Sequence, residues 1–237
     1  MSPAYPEDSA QFAISPTPWW TQTDQTVLRR GRLIRAFLPH VSQEPRTLTP
    51  EGRSDPAEHE RALFRVEPLR MGQVSRQPGL PVAALPMYPG EVFLVQRAKV
   101  RPALVLGAGG PDVDAALRRG TPRYQSAPTV LVAPYYGADQ SGSRSGYRPE
   151  FVDRIRRCEY PQYMWDKLPI GGSSESILRL DHVQPVGLHS NSFELLPYEL
   201  SGEAMEIVNT QFEWLLTGSL SPESVLADIR TALRELG

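Results

Sequence analysis

The sequence lacks the features that define secreted and membrane proteins. Cys158 is the single cysteine among 237 residues, which excludes an internal disulfide and favours a reducing compartment. No apolar run approaches the roughly 18 residues that a membrane-spanning helix requires. The N-terminal segment has no basic stretch followed by an apolar one, so a secretory signal is not predicted. These absences favour a cytoplasmic protein without a membrane partner.

Lysine is also scarce, and positive charge is not in excess. Lys99 and Lys167 are the only lysines, so nearly every basic residue is an arginine. Arginine suits bidentate phosphate contacts better than lysine does, although codon usage in a GC-rich genome explains the same bias. The net charge of −2 means that nucleic acid would have to bind at a local basic patch. The four histidines show no metal-ligand spacing, and we predict neither a metal site nor a cofactor.

Proline, by contrast, is plentiful and separates the predicted segments. The first prolines fall in an N-terminal arm, which Trp19 and Trp20 are expected to anchor to the rest of the protein. Strands are then predicted near residues 27–41 and 62–68, with a polar loop at 46–58 between them. The predicted division is an extended arm (1–24), an N-terminal extension with one or two strands (25–88), a main domain (89–217) and a C-terminal helix (218–237).

The clearest strand patterns lie in the predicted main domain. PGEVFLVQ (89–96), RPALVLG (101–107) and TVLVAPYYG (129–137) are rich in aliphatic and aromatic residues and are bounded by turn residues. SILRLDHVQPV (176–186) alternates between two faces, as a regular strand does. Close spacing of such runs favours a small antiparallel sheet or barrel over a parallel sheet with crossover helices.

Helices are predicted mainly toward the C-terminus. Residues 149–159 have an apolar face typical of a surface helix. Ser201 is a suitable N-cap for a further helix, and Gly218 is suited to end it. Ser221 followed by Pro222 is predicted to begin the last helix. Together with the strands, these patterns predict an α+β fold.

The strand segments, taken in order, resemble the MazF/PemK toxin family of ribonucleases. PGEVFLVQ followed by VRPALVL is similar to the family's opening strands, TVLVAPYYG to a strand that ends in a Pro-x-Thr/Ser turn, and SILRLDHVQPVG to a later strand with an Arg-x-Asp pair. The resemblance covers about residues 89–217. It implies an SH3-like antiparallel β-barrel with C-terminal helices, a homodimer, and an antitoxin protein as partner. It also implies metal-independent endoribonuclease activity on single-stranded RNA, in which the RNA's own 2′-hydroxyl attacks the phosphate.

The resemblance assigns catalytic roles to three residues. Arg101 matches the family's Arg-Pro arginine and would stabilise the phosphate or donate a proton. Arg179 and Asp181 match the Arg-x-Asp pair that serves as acid and base. In a regular strand these two side chains share one face and His182 points the other way, which favours Asp181 as the base. A structural ion pair between Arg179 and Asp181 is the alternative interpretation.

Four further residues are candidates for substrate binding. Tyr135 and Tyr136 stand where many relatives have threonine or serine. A tyrosine hydroxyl can bind phosphate and its ring can stack on a base, or both side chains close the end of the barrel. Arg154 and Arg157 lie in the most basic stretch of the chain and would follow an RNA backbone, although a solvated helix face also explains them.

Two departures from the family pattern leave other functions open. The Tyr-Tyr-Gly sequence at 135–137 replaces the usual turn, and only Gln96–Val100 stands where relatives have a long loop over the RNA. One alternative is therefore a catalytically inactive MazF/PemK-like barrel that acts as an RNA- or protein-binding module. The other is an unrelated SH3-like interaction protein.

Overall fold

The computed structural model describes residues 4–55, 57–58, 61–72, 90–108, 114–120, 129–140, 146–171, 175–189 and 191–236. In chain order the strands are β1 (Trp20–Gln22), β2 (Arg32–Pro39), β3 (Arg46–Gly52), β4 (Leu63–Pro68), β5 (Phe93–Val95), β6 (Ala98–Ala108), β7 (Thr129–Gly137), β8 (Tyr163–Lys167), β9 (Glu175–Arg179), β10 (Gln184–Gly187) and β11 (Phe193–Leu200). The helices are α1 (Ala10–Ala13), α2 (Pro149–Arg156), α3 (Gly202–Thr217) and α4 (Val225–Glu235), with short 3-10 turns at Ala115–Arg118 and Leu180–His182.

The chain forms two compact units, one of residues 1–38 and 100–237 and the other of residues 39–99. This division differs from the predicted boundaries, because β1 and β2 belong to the main sheet instead of a separate arm and extension. Trp19 and Trp20 are 2% and 3% exposed, which confirms that they anchor the N-terminal segment.

The larger unit contains an antiparallel sheet with the strand order β1-β11-β2-β6-β7-β9-β8, and β10 pairs with β7 as well. An α+β fold with mostly antiparallel strands is therefore confirmed. No closed barrel is detected among the strands that the structure describes. None of the helices in this described part is both long enough and apolar enough to cross a membrane.

The strands at the centre of this sheet bury both of their faces. Leu33 on β2 and Leu104 on β6 pack in a cluster that includes residues of α3 and α4. Their neighbours Ile34 and Val105 belong to a second cluster on the other face. Alternate side chains of a strand point to opposite faces. Burial of both faces therefore explains why β6 reads as a continuous apolar run.

The smaller unit contains a three-stranded antiparallel sheet in the order β4-β3-β5. Two predictions are corrected here. Residues 46–58 were expected to be a loop, but Arg46–Gly52 forms β3, because the β-branched Thr47 and Thr49 favour a strand despite Pro50. The PGEVFLVQ segment contributes β5, which pairs with β3 and is not part of the main sheet. Residues 73–89 lie outside the described residues.

The helix α3 begins and ends at its predicted capping residues. The side chain of Ser201 accepts a hydrogen bond from the backbone N–H of Ala204, and Gly218 ends α3 in a left-handed conformation with a φ of 75°. The last helix begins later than predicted. Ser224, not Ser221, is the N-cap of α4, because its N–H and hydroxyl both donate to the Ser221 carbonyl and close a turn first.

Candidate functional site

The site forms where β8 begins and β9 ends, beside the last residues of β7. Tyr136 on β7 lies opposite Ile177, and Tyr163 on β8 lies opposite Arg179, the last residue of β9. The backbone N–H of Leu180 then donates to the carbonyl of Gln162 at 2.9 Å, and a 3-10 turn replaces the strand. Because Leu180 is 1% exposed, its burial favours this turn.

The turn corrects the prediction of one regular strand over 176–186. In a regular strand, the side chain of His182 would point away from Arg179. In the structure, Nε2 of His182 lies 2.7 Å from Nη2 of Arg179. Asp181 also meets Arg179, as expected, but through the geometry of the turn and not through strand alternation.

Arg179 and Asp181 form a bidentate ion pair. Nε of Arg179 donates to Oδ1 of Asp181 at 2.7 Å, and Nη2 donates to Oδ2 at 2.7 Å. Nη1 of the same guanidinium donates to the hydroxyl of Tyr147 at 3.2 Å. Burial opposes the charged form of Arg179, but the hydrogen bonds to Asp181 and Tyr147 outweigh it and raise its pKa above the ordinary value. Arg179 is therefore a fixed cation that orients the carboxylate.

His182 connects this ion pair to Tyr136. Its Nδ1 lies 2.9 Å from the hydroxyl oxygen of Tyr136, and the two rings meet edge to face with centroids 5.5 Å apart. The side chain of His182 is largely buried. One histidine thus contacts both Tyr136 and Arg179 through its two ring nitrogens.

Arg101 completes the cluster from β6. Its guanidinium carbon lies 3.9 Å from the centroid of the Tyr136 ring, and that of Arg179 lies 5.5 Å from the same ring. Partial burial lowers the pKa of Arg101. Burial also raises the pKa of Tyr136, and the two guanidinium groups act in the opposite direction. Within the described part of the chain, none of the ion pairs includes Arg101.

An aromatic cluster borders the ion pair. Tyr147 stacks on Phe151 with centroids 5.7 Å apart, and Phe151 meets Tyr163 at 5.5 Å. The guanidinium carbon of Arg179 lies 4.9 Å from the centroid of Tyr163. Sequence reasoning missed Tyr147, Tyr163 and His182 as parts of the site. The only signal for His182 was its place directly after the Arg-x-Asp pair.

The structure thus brings together four of the seven residues predicted for the site: Arg101, Tyr136, Arg179 and Asp181. Tyr135 points to the other face of β7, where it is 3% exposed and donates to Asp166 at 3.1 Å. Burial leaves it little surface for a substrate.

Among the described contacts, those of Arg154 on α2 and of Arg157, the C-cap of that helix, do not include the residues of this cluster. Nε of Arg154 pairs with Glu159 at 2.8 Å, and its guanidinium carbon lies 5.0 Å from the ring centroid of Tyr160. Nε of Arg157 is buried and has no hydrogen-bond partner among the described residues. Their predicted contact with RNA stays a prediction.

Asp166 forms a second polar cluster behind the sheet. It accepts hydrogen bonds from Nε1 of Trp19 at 3.3 Å, from Nε1 of Trp20 at 3.1 Å and from the hydroxyl of Tyr135 at 3.1 Å. Burial raises its pKa to about 7, although these hydrogen bonds act in the opposite direction. Among the described residues, no group of three or more histidine, cysteine, aspartate or glutamate side chains could hold a metal ion.

The sequence matches no protein-family model, and a search of curated proteins likewise gives no match. The resemblance to the MazF/PemK family therefore stays a prediction that depends on the segments quoted above.

Proposed function

We propose that the protein is an endoribonuclease that cleaves single-stranded RNA without a metal, by attack of the 2′-hydroxyl on the adjacent phosphate. The observation that carries this proposal is the meeting of Arg101, Tyr136, Arg179 and Asp181 at one end of the sheet. Such a reaction needs a base for the hydroxyl, an acid for the leaving 5′-oxygen and a cation for the charge on phosphorus. The cluster contains groups of all three kinds.

Asp181 is the base in this proposal. Its side chain is 27% exposed, so a 2′-hydroxyl can reach it. Arg179 holds both carboxylate oxygens and thereby fixes the direction of the lone pairs that remain. Because the pKa of Arg179 is raised, this residue is better suited to binding charge than to giving up a proton. The acid role that the family resemblance implied for Arg179 is thus not part of the proposal.

Arg101 is the group that binds the phosphate. Its guanidinium takes part in none of the ion pairs of the described residues, in contrast to that of Arg179. Five N–H donors in a fixed plane suit a phosphate with two acceptor oxygens. An anion bound beside Tyr136 would lie close to both arginines, which is the charge arrangement that a pentavalent phosphate requires.

The same resemblance supports the remaining parts of the proposal. The antiparallel pairing of β6 with β7 and of β7 with β9 is compatible with an SH3-like barrel. We propose such a barrel, a homodimer, an antitoxin protein as partner and a cytoplasmic location.

One observation favours a second function. Both oxygens of Asp181 are engaged by Arg179 at 2.7 Å, which is also the geometry of a purely structural ion pair. With Asp181 so engaged, the cluster would bind RNA through Arg101 and Tyr136 without cutting it. A catalytically inactive RNA-binding module is therefore the alternative.

A cleavage assay distinguishes the two functions: a long, mixed-sequence single-stranded RNA is incubated with the protein in EDTA. We expect products with 2′,3′-cyclic phosphate ends, and a loss of roughly 10²–10⁴-fold in rate for Asp181→Asn. Arg101→Ala should lower the rate as well, whereas the exposed Asp24→Asn and Arg234→Ala serve as matched controls that keep it. Binding of RNA by the wild type without cleavage would favour the inactive module, and neither binding nor cleavage would contradict both functions.

A further inference from the structure

We propose that Tyr136 is the general acid that protonates the leaving 5′-oxygen, and that His182 holds its hydroxyl so that the hydrogen points toward the substrate. This inference rests on the ribonuclease function proposed above and adds a residue pair that the Arg-x-Asp resemblance does not contain. Tyr136 would be a catalytic residue, and His182 a positioning residue that acts through it.

The hydrogen-bond chain fixes the protonation of His182. A guanidinium has only donors, so the contact of 2.7 Å between Nη2 of Arg179 and Nε2 of His182 requires Nε2 to be the acceptor. A histidine whose Nε2 accepts is neutral and carries its proton on Nδ1. The bidentate pair with Asp181 holds Arg179 in place, so Asp181 sets the tautomer of His182 through Arg179.

The tautomer of His182 in turn fixes the direction of the hydroxyl hydrogen of Tyr136. The Nδ1–H of His182 donates to the Tyr136 oxygen at 2.9 Å. A phenolic oxygen that accepts there keeps its own hydrogen for another acceptor. His182 is only 8% exposed, whereas Tyr136 is half-buried, so the phenol is more accessible to a substrate than the imidazole is.

The surroundings of Tyr136 suit a proton donor to a phosphate ester. The guanidinium carbon of Arg101 lies 3.9 Å from its ring centroid, and that of Arg179 lies 5.5 Å away. A phosphate bound by Arg101 would therefore lie beside the phenol. After transfer of the proton, the phenolate would face two cations and the Nδ1–H of His182. Burial keeps the pKa of Tyr136 above its ordinary value, so the hydroxyl is protonated at neutral pH.

The step can be written with all atoms accounted for. The 2′-oxygen forms a bond to phosphorus and gives its proton to the Asp181 carboxylate. The bond between phosphorus and the 5′-oxygen breaks, and the 5′-oxygen takes the proton of the Tyr136 hydroxyl. The products are a 2′,3′-cyclic phosphate and a 5′-hydroxyl. Exchange of protons with water then returns Asp181 to the carboxylate and Tyr136 to the phenol.

The acid role is tested with a substrate whose leaving group needs no acid. The linkage that the wild type cleaves fastest is synthesised with sulfur in place of the 5′-oxygen, because a thiolate leaves without protonation at neutral pH. Tyr136→Phe should cleave ordinary RNA roughly 10²–10⁴-fold more slowly than the wild type but the sulfur-linked RNA at nearly the wild-type rate. His182→Gln should show the same rescue with a smaller initial loss. Tyr198→Phe, on β11, is the matched control and should behave like the wild type on both substrates.

The positioning role is tested without RNA, by the ¹⁵N chemical shifts of the histidine rings. Nδ1 of His182 should resonate as a protonated nitrogen and Nε2 as an unprotonated one, and His182→Gln should remove both signals. Protonated Nε2 would overturn the positioning role whatever the activity. An equal loss for Tyr136→Phe on both substrates would overturn the acid role. If the wild type cleaves neither substrate, the proposed function fails and the acid role fails with it, while the tautomer is still decided by the spectrum.

Discussion

Two aspartates of this protein differ in their exposure and in the charge of their hydrogen-bond donors, although both interact with neighbours on the same sheet. Asp181 lies at the surface with a guanidinium on both of its oxygens. Asp166 is 1% exposed and is surrounded by neutral donors, the indoles of Trp19 and Trp20 and the phenol of Tyr135. We propose that the cation beside the accessible carboxylate of Asp181 makes a site for a substrate, whereas the neutral donors around the buried Asp166 connect separate segments of the chain.

The adjacent tyrosines of β7 repeat this difference. Tyr135 points inward and donates to Asp166, and Tyr136 points outward to His182 and Arg101. Because alternate strand residues face opposite sides, one dipeptide serves both clusters. The comparison therefore predicts that changes in the Asp166 cluster affect stability and that changes in the Asp181 cluster affect activity.

The largest effect on stability is expected for Asp166→Ala. Removing the carboxylate leaves the buried donors of Trp19, Trp20 and Tyr135 without their acceptor, and each unsatisfied buried group costs about 1–3 kcal/mol. The free energy of unfolding in urea should fall by at least about 3 kcal/mol. Asp181→Ala should change it by no more than about 1 kcal/mol, as for other partly exposed ion pairs. Equal losses for the two variants would contradict the comparison.

The next effect is a dependence of stability on pH. Asp166 has a pKa of about 7 in the folded protein and an ordinary value of 3.8, so the folded state binds the proton more tightly. This contribution is fully present below the ordinary value and is lost as the pH rises through about 7. The slope should approach about 1.4 kcal/mol per pH unit within this window. Unfolding of Asp166→Asn measured across the same range should lack this slope, and an unchanged slope would assign the titration to another group.

A smaller effect distinguishes the two tyrosines. Tyr135→Phe removes one hydrogen bond to Asp166 and should lower the free energy of unfolding by about 1 kcal/mol, while RNA cleavage per folded molecule stays unchanged. Tyr136→Phe should show the reverse, with nearly normal stability and lost cleavage. Urea unfolding and the cleavage rate are measured on both variants. Loss of cleavage in Tyr135→Phe at full folding would show that the two faces of β7 are not separate.

The smallest effect concerns the predicted RNA contact of Arg154. This side chain is exposed and pairs only with the nearby Glu159 among the described ion pairs. Arg154→Ala should weaken binding of single-stranded RNA a few-fold, and the loss should shrink as salt is raised. Fluorescence anisotropy at two salt concentrations provides the measurement, with Arg234→Ala as the control. Unchanged affinity at low salt would favour the solvated helix face over an RNA contact.

Local sequence patterns were sufficient for much of the fold but not for the whole site. The strand at 129–137 and the caps at Ser201 and Gly218 follow from local residues, and the structure confirms them. The meeting of Arg179 with Asp181 was also expected. His182 was assigned to the wrong side, because the turn at Leu180–His182 depends on a hydrogen bond from the Leu180 N–H to the carbonyl of Gln162, in the turn before β8. Contacts between remote segments are not encoded in local periodicity.

The same limit explains why the sequence does not predict which of the two tyrosines of β7 is buried. Alternation predicts that Tyr135 and Tyr136 face opposite sides of a strand. It does not tell which side is covered, and that depends on Trp20 and Asp166, which come from β1 and β8. Tyr147 likewise reaches Arg179 from a loop whose position no strand or helix pattern specifies.

The most direct test of the division between the two clusters is the cleavage of single-stranded RNA in EDTA by wild type, Asp181→Asn and Asp166→Asn, each normalised to its folded fraction. We expect the wild type to produce 2′,3′-cyclic phosphate ends, Asp166→Asn to cleave at a similar rate per folded molecule, and Asp181→Asn to lose roughly 10²–10⁴-fold. Cleavage by Asp181→Asn at the wild-type rate, or no cleavage by the wild type, would contradict a catalytic site at Asp181.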